Sequence, residues 1–224
     1  MTFLREIQEL LERTYWKTGV NLEDCVVGRN RAAQLSRLSR QPAEILSSSG
    51  RTFLRLADNR LYMGIYYADS VIEQLERNDP RRVLNHHNIT PLITFIEEIS
   101  HGVAAARMFQ RGRRRFGHEA VLRNLEAQAK VDTYLVLSRL AHRLLGADSV
   151  PRAVGRWLER QVFDTSFRRF GSRQLRERYA VSQRVARSFI CHLRKVPATR
   201  RQEALRAFHR RSWRGKLRYA ARVS

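Results

Sequence analysis

Apolar positions along most of this chain recur at helical spacing. Phe3, Leu4, Ile7, Leu10 and Leu11 form one stripe, with Glu6, Glu9 and Glu12 largely off it. This predicts a helix over 2–17, capped by Thr2 and stopped near Gly19. The stretch 20–50 is less regular and reads as a short helix broken at Pro42, then a serine-rich loop ending in Gly50. There the period changes. TFLRLA and RLYMGIYY are rich in branched and aromatic residues, and a short ADNR turn separates them. Strands over 52–57 and 60–67, joined through Asp58-Asn59, make a β-hairpin.

Helical spacing then resumes. Asp69 or Ser70 is expected to cap a helix running to about Arg77, with Val71, Ile72 and Leu75 inward and Asn78-Asp79-Pro80 as the stop. Thr90 is expected to cap a long helix with Pro91 at its first position, where a missing N–H costs nothing. Its apolar face is Leu92, Ile93, Ile96, Ile99, Val103 and Met108, and the small residues Ala104 to Ala106 suggest close helix packing. After the basic loop RGRRRFG, a second long helix should span 119–145 and end before Gly146. Segments 150–163, 172–195 and 199–222 are helical in pattern and basic, with Ser172 and Thr199 as caps. The fold class expected is mainly α, a helical protein with one small β-hairpin at about 52–67. The best candidate boundary, 146–151, divides a mixed region, 1–149, from a strongly basic helical region, 150–224; the two could also pack as one domain.

Composition adds that the chain can bury a real core, since 43% of it is hydrophobic. It holds no run of about 18 uncharged apolar residues, so a transmembrane helix is not expected. The N-terminal stretch lacks the layout of a signal peptide. Cys25 and Cys191 form no disulfide framework and read as buried structural thiols, consistent with a cytoplasmic protein.

Charge changes the picture most. Residues 1–100 carry 13 basic and 13 acidic side chains, whereas residues 101–224 carry 30 and 8, which is the whole net charge of +22. Such asymmetry points to a polyanionic partner: nucleic acid, an anionic membrane surface or an acidic protein. Of the 43 basic residues, 39 are arginine, and compositional drift toward arginine codons produces a similar excess without any partner. On the polyanion reading the protein is a non-enzymatic nucleic-acid-binding protein. Its expected contacts are Arg111, Arg113, Arg114 and Arg115 in the loop, with Arg210, Arg211 and Arg214 near the C-terminus. Phe208, Trp213 and Tyr219 interleave with arginines there. They would either stack unpaired bases or belong to the core. In the segment 172–195, Leu175, Tyr179, Val185, Phe189 and Leu193 share one face and arginines crowd the rest. An adaptor subunit that docks an acidic protein would use the same surfaces.

A different chemistry is suggested by Phe95-Ile96-Glu97-Glu98-Ile99-Ser100-His101. Glu97 and Glu98 lie four and three positions before His101, so either pair shares a helix face. Glu-x-x-His is also the half-site spacing of di-iron bundles, but no second copy occurs in the chain. Glu97-Glu98-Ile99-Ser100-His101 resembles the His-Glu-x-x-His helix of gluzincin-type zinc metallopeptidases, with the first ligand histidine replaced by Glu97. The resemblance covers residues 50–132, from the hairpin to Asp132, and implies an α+β zincin-like core. It further implies Glu97, His101 and Glu126 as ligands of one divalent metal ion, and Glu98 as the general base of a metal-dependent hydrolase. The replacement of a ligand histidine by Glu97 implies either loss of zinc, leaving a metal-free zincin-like scaffold, or a change to a harder ion. Lys130 stands where a further acid would be expected. An ordinary helix pair accounts for the same residues, with Glu126 and Lys130 as an i, i+4 ion pair. His86-His87-Asn88 lacks the partners a chelate needs.

Overall fold

A computed structural model of the chain describes residues 2–38, 49–146, 150–164 and 172–223. Among these, the elements are α1 (Phe3–Thr14), a single 3-10 turn (Leu22–Cys25), α2 (Arg29–Leu38), β1 (Gly50–Ala57), β2 (Arg60–Tyr67), α3 (Asp69–Arg77), α4 (Ile89–Gln110), α5 (Glu119–Leu145), α6 (Arg152–Phe163), α7 (Arg173–Lys195), α8 (Ala198–Arg210) and α9 (Trp213–Val223). The protein is therefore mainly α with one antiparallel hairpin. No described helix is long and apolar enough to cross a membrane.

The hairpin forms where the period-2 stretch lies. Phe53 pairs with Gly64 and Ala57 with Arg60. Asp58 and Asn59 both adopt left-handed backbone, at φ 48° and 54°, as a tight two-residue turn requires. The hairpin lies against α4. A Cβ added to Gly50 would sit 2.7 Å from Cγ of Glu98, and one added to Gly102 would sit 3.0 Å from a methyl of Leu22 and 3.2 Å from one of Ile65. Both glycines thus mark close approaches that no larger residue would permit without displacement.

Helix ends correct several expectations. Thr2 caps α1, its side chain accepting from the Arg5 N–H, and Ser172 caps α7 by accepting from the Leu175 N–H. Gly146 ends α5 in left-handed backbone. Neither Asp69 nor Ser70 caps α3; the cap position is Ala68, with no side-chain bond. Helix α4 begins at Ile89, so Asn88 takes the cap position and Thr90 lies inside the first turn. The Asn88 amide donates to the carbonyls of Asn78 and Val83, and its oxygen accepts from the Asn85 N–H. It therefore organises the preceding loop. The single helix expected over 199–222 is two. Thr199 lies inside α8, and α9 starts afresh after Ser212, whose hydroxyl accepts from the Gly215 N–H at 3.3 Å. That serine is an N-cap hidden among arginines. The break expected at Pro42 falls outside the described residues.

Helix α5 is the spine. Helix α4 packs along one side of it, and α6, α7 and α9 along the others. One hydrophobic cluster runs from Leu4 to Ala220, so elements on both sides of the 146–151 boundary share a core. Phe208 and Trp213 are buried in it and Tyr219 packs against it, which assigns these aromatics to packing. Phe189 stacks on Phe208 at 4.0 Å between ring centroids. Cys191, expected inside, is exposed, and Cys25 is half-buried.

A polar network threads this core. The buried carboxylate of Asp132 accepts from Tyr15 Oη at 2.5 Å, Ser100 Oγ at 2.6 Å and Gln128 Nε2 at 2.9 Å. Lys216, fully buried, donates to Gln128 Oε1 at 3.0 Å. One network thereby joins α1, α4, α5 and α9 through groups that water cannot reach. Burial pushes the Lys216 ammonium down to about 7 against the opposing pull of Asp132. Burial also pushes the Asp132 carboxyl up, although its three hydrogen bonds resist this.

Candidate functional site

Two groups of side chains singled out in the sequence have a defined geometry. The first is the acidic helix segment. Glu97 and His101 project from α4 toward α5, where Lys130 and Glu126 meet them, while Glu98 faces the hairpin. His101 Nε2 stands 3.7 Å from Glu126 Oε2. Lys130 Nζ donates to Glu97 Oε1 at 2.6 Å, with the lysine side chain 8% and the glutamate 19% exposed. The ion pair expected along α5 between Glu126 and Lys130 is therefore replaced by two pairs between helices. Asp132 is on neither; it belongs to the network around Tyr15. Glu98 is held from the hairpin, its Oε2 accepting from Thr52 Oγ1 at 2.7 Å.

The electrostatics of this cluster follow from three carboxylates crowded out of water. Burial pushes Glu98 up to about 7; His101 and the Thr52 hydrogen bond oppose the shift, and Glu126 and Glu97 add to it. Glu126 is likewise raised by burial against the pull of His101. For His101, burial disfavours the imidazolium, but Glu126, Glu98 and Glu97 outweigh it and the group is raised. Tyr179 of α7 faces the same carboxylates and is pushed well up, first by Glu126 and then by burial. His101 Nδ1 is buried without a hydrogen-bond partner.

The cluster brings together Glu97, Glu98, His101 and Glu126. Among the described residues, no three histidine, cysteine, aspartate or glutamate side chains are grouped so as to hold a metal ion. Glu97 is already engaged by an ammonium. Lys130 provides internally the positive charge that a ligand carboxylate would otherwise seek.

The second group is a cationic pole, and sequence reasoning found only its rim. Arg111 caps the C-terminus of α4, and Arg210 ends α8, 99 positions later. Both guanidinium carbons lie over the ring of Trp16, at 4.8 and 5.4 Å from its centroid. Arg107 and Arg206 lie against the same ring at 5.3 and 5.4 Å. Arg107 and Arg111 of α4 and its cap, and Arg206 and Arg210 of α8, thus adjoin at one tryptophan. Arg113, Arg115, Arg210, Arg211 and Arg214 are exposed, and none of them makes an ion pair among the described residues. Arg114 is fixed instead, donating to Asn59 Oδ1 at 2.9 Å and to the Phe109 carbonyl at 2.8 Å while its guanidinium covers the Phe109 ring. Arg211 covers Tyr219 at 4.9 Å.

Repulsion among these cations acts at the buried edge. Burial lowers Arg111, and Arg210 lowers it further. His209, stacked on Tyr15 at 4.7 Å, is pushed well down by burial and then by Lys216, Arg107, Arg111 and Arg210. The elements facing α7 elsewhere are balanced differently: Arg178 and Arg123 share Glu119, and Arg187 and Arg194 share Glu159.

No protein-family model, no curated protein and no solved structure matches this chain. The functional reading rests on the residues themselves.

Proposed function

We propose that the protein is a non-enzymatic nucleic-acid-binding protein that grips the phosphate backbone through its cationic pole. The observation that supports this reading is the meeting, at Trp16, of two arginine clusters far apart in sequence, with five exposed arginines unmatched by carboxylates among the described residues. Guanidinium groups held by backbone carbonyls, as those of Arg114 and Arg206 are, lose little further freedom when they meet a phosphate. Their hydrogen-bonding forks suit its oxygens. The buried Phe208 and Trp213 are committed to the core, so bases are not expected to stack on them, and the recognition is of backbone charge.

Backbone recognition has a characteristic salt dependence. With about six phosphates neutralised, log affinity falls against log salt with a slope of about −5. The test is fluorescence anisotropy with a labelled duplex and a labelled single strand, from about 50 to 300 mM salt. Arg210→Gln/Arg211→Gln/Arg214→Gln should weaken binding to all sequences alike and reduce the slope by about 2–3. Absence of binding to either strand form, or affinity indifferent to salt, refutes the proposal.

A further inference from the structure

At the centre of the cationic pole lies a deficit that a diffuse basic surface does not require. Arg107 is 3% exposed. Its Nε and Nη2 are buried and have no hydrogen-bond partner. A guanidinium in that position is normally paired, because an unmade bond to a buried charged donor costs more than one to a neutral group. The acid that acts on Arg107 most strongly is Glu12. Yet one Glu12 oxygen already accepts from the Thr18 N–H at 3.2 Å, from the Thr18 hydroxyl and from Gln8 Nε2 at 3.1 Å. Three further guanidiniums, of Arg111, Arg206 and Arg210, crowd the same indole. Arg206 is anchored by donating from Nε to the Thr14 carbonyl at 3.1 Å. Arg111 and Arg210 are exposed and free to change rotamer on a fast timescale.

We propose that Trp16, Arg107, Arg111, Arg206 and Arg210 form a discrete binding site for one phosphate group. The indole is the platform that holds the four cations at one distance. Arg107 supplies the buried donors, Arg206 the fixed flank, and Arg111 and Arg210 the arms that close over the anion. A tetrahedral dianion fits the charge, because it neutralises two of the four cations and accepts from several forks at once. This inference rests on the nucleic-acid reading for its biological source of phosphate, but its chemistry is that of the phosphate group alone.

The experiment titrates the full-length protein with sodium phosphate at constant ionic strength and pH, following tryptophan emission and, in parallel, heat by calorimetry. The expected result is saturable one-to-one binding with a change in emission. Arg210→Gln, an exposed substitution that leaves the fold alone, should weaken it by about tenfold or more, the worth of one charge-assisted bond. Trp16→Phe should abolish the emission change from this site. The source is distinguished by competition: phosphate should displace an oligonucleotide if the site takes a backbone or terminal phosphate, and a 5′-phosphorylated strand should gain over its unphosphorylated form if it takes the terminus. No saturable heat with phosphate, or equal affinity in Arg210→Gln, overturns the site even if nucleic acid binds. Phosphate binding without any nucleic-acid binding leaves the site standing and removes the function proposed above.

Discussion

Lys130→Met isolates what the lysine contributes between α4 and α5. Its ammonium lies 2.6 Å from Glu97 Oε1, and both side chains are largely out of water. An exposed ion pair is worth at most about 1 kcal/mol, while removing one partner of a buried pair costs about 3–5 kcal/mol because the other charge is left behind. Glu97 retains some solvent contact, so the loss should fall at the low end, about 3 kcal/mol. The stranded carboxylate would stand beside Glu98 and Glu126, which adds repulsion. For a chain of this length the change corresponds to a fall in Tm of roughly 6–12 °C. Glu97→Gln removes that stranded charge, so the double variant should recover most of the loss, with a coupling of about 2 kcal/mol. Urea unfolding followed by circular dichroism measures all four corners of the cycle. Additive losses, with coupling below about 0.5 kcal/mol, would mean that the two groups do not meet as described.

Two predictions concern pH. Lys216 has a folded value of about 7, below its ordinary 10.5, so between these limits the unfolded chain binds the extra proton and stability rises with pH; Lys216→Met should flatten the alkaline limb of a stability–pH curve from chemical denaturation, and an unchanged limb would place the lysine in water. Glu98 is the opposite case, since its folded value of about 7 lies above the ordinary 4.5. The folded state then holds the proton, stability falls as pH rises through that window, and Glu98→Gln should make the fall shallower while the amide oxygen still accepts from Thr52.

Much of the fold could be read from periodicity, because the elements that pack on one face announce it. The hairpin, α4, α5 and α7 are examples, and Asp58-Asn59 signals its turn by chemistry alone. The caps were harder. Asn88, Asp69 and Thr90 all have suitable side chains, and only the loop geometry decides that Asn88 satisfies carbonyls behind it. Ser212 was masked by the apparent continuity of an arginine-rich helix. For the acidic cluster, spacing correctly grouped Glu97, Glu98 and His101 on α4, but it paired Lys130 along its own helix. Which of two neighbouring carboxylates a lysine reaches depends on the register between helices, and no local pattern encodes that. The cationic pole was half legible. The exposed arginines follow from charge density, whereas Arg107 and Trp16 read as members of an ordinary apolar helix and its neighbour. One signal was present and easily passed over. In a chain that uses arginine 39 times, only four residues are lysine, and two of those, Lys130 and Lys216, are buried, whereas Arg107 is the one buried arginine among the described residues. A compact ammonium fits where a guanidinium fork would leave donors unmatched.

The bond from Tyr15 to Asp132, and the chain of donors continuing through Gln128 to Lys216, also fixes an order of events during synthesis. Helix α1 leaves the ribosome before the elements it packs against, yet the carboxylate that receives Tyr15 arrives 117 residues later, and the lysine that completes the network follows another 84 residues on. At about 5–20 residues per second this interval is many seconds, far longer than a helix needs to form. Helix α1 therefore waits with its apolar stripe exposed, and the hairpin with α3 and α4 is the first unit able to cover it. The core closes only when α9 emerges, so a nascent chain stalled before Lys216 should leave Gln128 without its buried ammonium and be the form that chaperones and proteases meet.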